Sequence, residues 1–167
     1  MKVELVPYDN GWPERFEELA RRVRSALGRR ALLVQHAGST SVPGISAKPV
    51  IDIVLAVADS LDEAAYVADL EAQQFRLHIR EPEWFEHRLF KSRDIECNLH
   101  VFSEGCPEIS RMLAFRDRLR ASEADRRLYE STKQTLAARD WPTVQNYADA
   151  KTDIVREILA RQEAETR

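Results

Sequence analysis

The sequence predicts an α+β domain: a mixed sheet of about five strands, preceded by one helix and closed by a C-terminal helical layer. Three observations predict it. Apolar residues recur at helical spacing near the start, several short apolar or alternating runs lie between Ala31 and Phe102, and nothing reads as strand from Pro107 onward. A strand-rich half followed by helices buries its apolar sheet face against them. The 167 residues, 44% of them hydrophobic, fit one domain (1–167) around one core, and no repeat, low-complexity tract or linker divides them.

The first helix is expected from near Pro13, with Asn10 as its cap, because Trp12, Phe16, Leu19, Ala20, Val23 and Leu27 share one face until Gly28 ends it. Residues 31–36 and 50–57 are apolar runs read as strands, joined by the loop Gly38-Ser39-Thr40-Ser41-Val42-Pro43-Gly44. Ser60 followed by Glu63 reads as a capping box for a helix through about Gln74. Residues 75–79 form a strand, Glu81-Pro82-Glu83 a turn, and 87–91 with 95–102 a hairpin around Ser92-Arg93-Asp94. Three helices follow, marked by Ile109, Met112, Leu113 and Leu119, by Leu128 and Leu136 after Ser122, and by Tyr147, Ile154 and Ile158 after Pro142. The last residues, 163–167, are expected to fray.

The charge balance, 28 acidic against 25 basic residues, excludes the strong positive field that non-specific nucleic-acid binding requires. No stretch reaches the roughly 20 apolar residues that span a bilayer, so the expectation is a cytoplasmic protein with neither nucleic-acid nor membrane partner. Cys97 and Cys106 lack the spacing of a disulfide scaffold or zinc knuckle and read as free thiols.

The chemistry is concentrated between His36 and Asp52 and around His100. Gly38 and Ser39, directly after a strand, place backbone N–H groups in a turn that no side chain blocks, which suits a phosphate oxygen. Asp52 stands within a strand between Ile51 and Ile53, so its carboxylate projects from the sheet and needs a partner or a cation. The alternative is that Asp52 only fixes the loop through Lys48 or Arg88, and that the loop is an ordinary turn.

A Gly-Ser turn followed by a strand Asp resembles the nucleotidyltransferase superfamily. The fuller string, His36-Ala37-Gly38-Ser39-Thr40-Ser41-Val42-Pro43-Gly44 with Ala47-Lys48-Pro49-Val50-Ile51-Asp52-Ile53, resembles the signature of the GrpB family. Val6-Pro7-Tyr8-Asp9 with Trp12-Pro13 and Phe16, then His87 to Lys91, Asn98 to Val101, Phe115-Arg116-Asp117, Tyr129 with Lys133 and Tyr147 with Lys151 are similar to that family too. The resemblance covers nearly the whole chain. It implies a nucleotidyltransferase-like fold, in a family also found fused to dephospho-coenzyme A kinase, and a nucleotide or coenzyme A related ligand by analogy.

The candidate catalytic residues are Asp52 and His100. Two-metal transfer needs carboxylates at i and i+2 of one strand, but Val54 follows Asp52, and no acidic triad is visible although Glu96 could contribute. Asp52, His100 and His36 could instead hold one divalent ion, magnesium, manganese or zinc, the imidazoles favouring zinc, manganese or iron over magnesium. Each histidine could equally bond a backbone carbonyl. The ligand-binding set is His36, Gly38, Ser39, Thr40, Ser41, Lys48, Arg88, Lys91, Arg116, Lys133, Tyr147 and Lys151, with Tyr147 and Lys151 on one helix face. The basic members could also be solvated surface charges.

Three functions follow. One is a nucleotidyltransferase-like protein that binds a phosphate-bearing molecule with a metal and acts by positioning and electrostatics. The second is a degenerate binding or accessory module linked to coenzyme A metabolism, and the third a metal-dependent hydrolase using His36, Asp52 and His100. No Gly-x-Ser-x-Gly elbow supports an esterase.

Overall fold

The computed structural model describes residues 1–166. Five strands, β1 (Leu33–Ala37), β2 (Ile51–Val57), β3 (Phe75–Glu81), β4 (His87–Ser92) and β5 (Cys97–Ser103), form one sheet in the order β1-β2-β5-β4-β3. The β2–β5 pair is parallel and the other three are antiparallel, so the sheet is mixed as expected. A parallel pair cannot be closed by a tight turn. Here the crossover carries α2 (Val67–Ala72) and the β3–β4 hairpin.

Helix α1 (Trp12–Leu27) buries Trp12, Leu19, Ala20, Val23 and Leu27, the predicted face. Its entry is set by Asp9, not Asn10: the Asp9 carboxylate accepts from the Gly11 backbone N–H at 2.7 Å, and Pro13 occupies the first turn. The capping box at Ser60 does not form. The Ser60 hydroxyl donates to the Glu86 carbonyl at 2.8 Å instead, and a 3₁₀ turn over Glu63–Ala65 precedes a shorter helix than expected. A tertiary partner has taken the side chain that the local pattern assigned to the helix.

The helical layer comprises α3 (Pro107–Ala121), α4 (Glu123–Ala137), α5 (Val144–Ala150) and α6 (Thr152–Thr166). Ser122 caps α4 by accepting from the Asp125 N–H at 3.2 Å. The single helix expected after Pro142 is two helices. Thr143 caps α5 at the Asn146 N–H, and a turn at Lys151 separates α5 from α6. Helix α6 continues to Thr166, held by a two-pronged Arg118–Glu165 ion pair at 2.5 and 2.9 Å, so the expected fraying of 163–166 is corrected; Arg167 lies outside the described residues.

Strand alternation gives the sheet two unlike faces. One carries Ile51, Ile53, Leu55, Phe90, Leu99 and Val101 against α1 and α2, every one of them buried. Each such side chain contributes about 1.5–3 kcal/mol. The opposite face carries Asp52, Asn98 and His100, with Val54, Ala56 and Phe102 packed against Ile109 of α3. Cys97 is buried, Cys106 half-buried, and both are free thiols.

Candidate functional site

The site lies where β1 ends and β2 begins. Ala37 pairs with Asp52, which brings the following turn over the Asp52 carboxylate. Gly38 has φ +70 and ψ −178, a conformation open essentially to glycine alone. A methyl group there would collide with the Asp52 carboxylate and stand 3.0 Å from its Cβ and Cγ. The missing side chain is what allows backbone and carboxylate to meet.

Gly38, Ser39, Thr40, Lys48 and Asp52 from this turn and strand, together with Asn98, Tyr129, Lys133, Tyr147 and Lys151, line a pocket of about 140 Å³. Lys133 comes from α4 and is only 2% exposed. Its ammonium donates to the Ser39 hydroxyl at 3.2 Å and to the Ser46 carbonyl, and stands 5.0 Å from the centre of the Tyr129 ring. Lys151 lies 4.7 Å over the Tyr147 ring, the i, i+4 arrangement expected from the sequence. Burial pushes Lys133 down to about 8 and lowers Lys48 and Lys151 as well. The Tyr147 hydroxyl is buried without a hydrogen-bond partner among the described residues, and burial raises its phenol to about 12, so it remains a donor.

A wider lobe of about 370 Å³ continues from the pocket. It shares Gly38, Asp52, Phe115, Tyr129 and Lys151 and adds Met112 and Val155. One end of the combined cleft is cationic and the other largely apolar.

Behind the pocket, four ionisable side chains form a row. Asp52 Oδ1 lies 3.1 Å from His100 Nε2, His100 Nδ1 3.0 Å from His87 Nε2, and His87 Nδ1 2.8 Å from Glu81 Oε1. Burial raises the Asp52 carboxyl, but the hydrogen bond and charge of His100 outweigh it, with smaller help from Asn98 and Lys151, so Asp52 is held below its ordinary value. Burial and the neighbouring His100 push His87 down to about 4.

The structure brings Gly38, Ser39, Thr40, Lys48, Asp52, Lys133, Tyr147 and Lys151 together, places His100 directly behind Asp52 at 3.1 Å, and puts the other candidates elsewhere. His36 pairs with Ile53 across the β1–β2 ladder, so it sits on the face opposite Asp52. It stacks on Phe16 at 4.8 Å and bonds the Thr40 hydroxyl at 2.9 Å, while burial depresses it to about 4. The expected His36–Asp52–His100 metal set is therefore not assembled. Arg88 also projects from the core face, where it donates to Glu63 at 2.9 Å and to the Glu86 carbonyl. Arg116 reaches the His36 carbonyl and the Gln35 side chain at 2.9 Å, outside the lysine pocket. The Ser41 hydroxyl is turned back onto the Gly38 carbonyl, and Lys91 donates to Asn98 behind the pocket wall. Glu96 is exposed.

Asn98 and Tyr129 are pocket residues absent from the sequence-derived set. Both carried a signal: Asn98 shares a strand face with His100, and Tyr129 precedes Lys133 by one helical turn. Among the described residues no three His, Cys, Asp or Glu side chains stand where they could share a metal ion. Three lysines surround one hydrogen-bonded carboxylate, so the pocket lining carries more basic than acidic groups.

The family model for the GrpB protein matches residues 2–161. The chain belongs to the GrpB family. It is 56% identical over 162 residues to a UPF0157 protein of Halalkalibacterium halodurans, covering 97% of this chain and 83% of that one. The crystal structure of conserved protein GrpB from Enterococcus faecalis superposes with a TM-score of 0.80 at 28% identity, over 95% of this chain and 99% of that one. A dephospho-CoA kinase of Mycolicibacterium paratuberculosis is 32% identical over 185 residues, covering 95% of this GrpB-family chain but 46% of the kinase. No helix among the described residues is long and apolar enough to cross a membrane.

Proposed function

We propose that this GrpB-family protein binds a phosphate-bearing small molecule, with the phosphate in the lysine pocket and the organic part in the adjoining lobe. The observation that carries this reading is the convergence of Lys48, Lys133 and Lys151 with an unpartnered Tyr147 hydroxyl on a space of about 140 Å³. A buried hydroxyl left unpaired costs about 1–3 kcal/mol, and a buried ammonium costs more unless an anion answers it. A phosphate oxygen would satisfy both. The lobe lined by Met112, Phe115 and Val155 suits a less polar body such as a nucleoside or pantetheine arm, and the similarity to a dephospho-CoA kinase favours a nucleotide or coenzyme A related ligand.

In this reading the protein is a binding or accessory module on a nucleotidyltransferase-like scaffold. Asp52, held from behind by His100, orients the ligand, and no step is routed through a metal. Thermal-shift titration with inorganic phosphate, ADP and dephospho-coenzyme A, with and without chelator, tests it. Stabilisation that survives chelator and is lost in Lys133→Met supports the reading. No stabilisation by any of the three ligands contradicts it.

A second reading keeps a divalent ion on Asp52 and His100, favoured by their 3.1 Å contact on one sheet face. It requires ligand stabilisation to vanish with chelator and return with magnesium, manganese or zinc.

A further inference from the structure

The Ser39–Ser41 turn separates the lysine pocket from a second cavity. This groove, about 720 Å³, lies beside α1 and the α3–α4 corner, and is lined by Arg24, Arg116, Arg120 and Arg126 with Tyr8 and Phe16. His36 and Ser41 form part of its inner wall. Four guanidiniums converging on one concave surface is unusual in a chain with more acidic than basic residues overall.

Backbone carbonyls hold three of these arginines in place. Arg120 Nε donates to the Ser41 carbonyl at 2.9 Å, Arg116 Nη1 to the His36 carbonyl at 2.9 Å, and Arg126 Nη1 to the Leu119 and Arg120 carbonyls at 2.9 and 3.2 Å. Each thus spends part of its fork on backbone, which holds the group in place without cancelling its charge. Among the described residues Arg24, Arg120 and Arg126 form no ion pair with a carboxylate. Arg116 pairs with its chain neighbour Asp117 at 2.9 Å, and Glu17 is the carboxylate lining the groove. Burial and then the nearby Arg116 lower Arg120, outweighing the opposite pull of Asp117 and Tyr8. Elsewhere the same chain pairs its arginines routinely: Arg22, Arg80, Arg88, Arg118 and Arg161 each have a carboxylate within 3.0 Å.

We infer that this groove is a second ligand site, distinct from the lysine pocket, that takes a diphosphate or longer polyphosphate group. Four guanidiniums exceed what one phosphate can engage, and the volume is several times that of the lysine pocket. Planar forks match phosphate oxygens two at a time. The aromatic side chains Tyr8 and Phe16 beside them offer a surface on which a flat ring attached to the phosphates can rest. Two sources share this chemistry, a free inorganic polyphosphate and a nucleoside diphosphate.

The inference stands apart from the proposed function, because the two sites use different residues on opposite sides of one turn. Isothermal titration with inorganic pyrophosphate and with ADP, on the full chain, tests it. The wild type is expected to bind pyrophosphate, and Arg120→Ala/Arg126→Ala is expected to weaken it by about ten-fold or more, as loss of charged hydrogen bonds implies. Lys133→Met should leave that groove binding unchanged. If the double variant loses its circular dichroism signal, Arg24→Gln, at an exposed position whose side chain makes no hydrogen bond among the described residues, gives the same reading with a smaller loss. Tighter binding of ADP than of pyrophosphate identifies the nucleoside form, and equal binding the free polyphosphate. Undiminished pyrophosphate affinity in a folded double variant and in Arg24→Gln overturns the site. Failure of the lysine-pocket reading would show differently, as arginine-sensitive binding with no response to Lys133→Met in any phosphate titration.

Discussion

Two faces of the same pair of strands, β2 and β5, divide this molecule's labour. On one, Ile51, Ile53, Leu55, Leu99 and Val101 are almost wholly removed from water and pack into the main apolar core. On the other, one residue along in each strand, Asp52, Asn98 and His100 are left partly accessible and hydrogen-bonded. Stability and chemistry are thus separated by a single step along the chain, because side chains alternate across a sheet. The contrast teaches that neighbouring substitutions should have unlike consequences.

The largest expected effect is on the apolar face. Leu99→Ala should lose about 2–5 kcal/mol of stability in urea unfolding, since the side chain is fully buried and its cavity cannot refill. Its neighbour Asn98→Ala should lose less, about 1.5–3 kcal/mol at most as for a hydrogen bond to a charged partner such as Lys91, yet weaken phosphate binding. Equal destabilisation of the two variants would erase the distinction between the faces.

Next is Gly38→Ala, expected to cost about 1–3 kcal/mol from backbone strain, with the collision against Asp52 adding to it. Wild-type thermal stability in that variant would show that the turn does not need to approach the carboxylate. A third expectation concerns acid. His36 and His87 are both depressed to about 4 from an ordinary value near 6.5, so the unfolded chain takes up their protons first. The contribution of these two histidines should fall as pH drops from about 6.5 towards 4 and level off below, where depressed carboxylates such as Asp52 and Glu63 continue the loss, and His36→Asn should flatten part of the slope between 6.5 and 4 in pH-dependent denaturation.

The smallest effect is the most informative about the pocket. Lys133, depressed to about 8, begins to lose its proton where an exposed lysine would not. A bound phosphate favours the charged form, so binding should take up protons near pH 8 to 9 and weaken at higher pH. Calorimetry in buffers of different ionisation enthalpy measures that uptake, and its absence would place the anion away from Lys133.

Much of the scaffold was legible in the residues. The α1 face, the five strands and the Ser122 cap each rest on local periodicity or a local hydrogen bond, which a sequence displays directly. The break at Lys151 was not, because Tyr147, Lys151, Ile154 and Ile158 keep helical spacing across it. Ser60 had the right local chemistry for a cap but a better partner far along the chain. The candidate site divided along the same line. Gly38, Ser39 and Asp52 are joined by one strand pairing and were readable, whereas the face of His36 depends on the Ala37–Asp52 register, a tertiary fact. Nothing in a lysine's neighbours reveals that Lys133 would be buried while most lysines are not.

The row from Glu81 to Asp52 permits a count of hydrogens. Three contacts join its four members, and each needs one hydrogen between heavy atoms, yet two neutral imidazoles supply only two. With His87 uncharged and its single N–H given to Glu81, its other nitrogen accepts from the ring of His100. With both rings neutral the row is therefore one hydrogen short of three, and the pocket's one carboxylate is already engaged from behind by His100. Three ammonium groups around the same pocket outnumber that carboxylate.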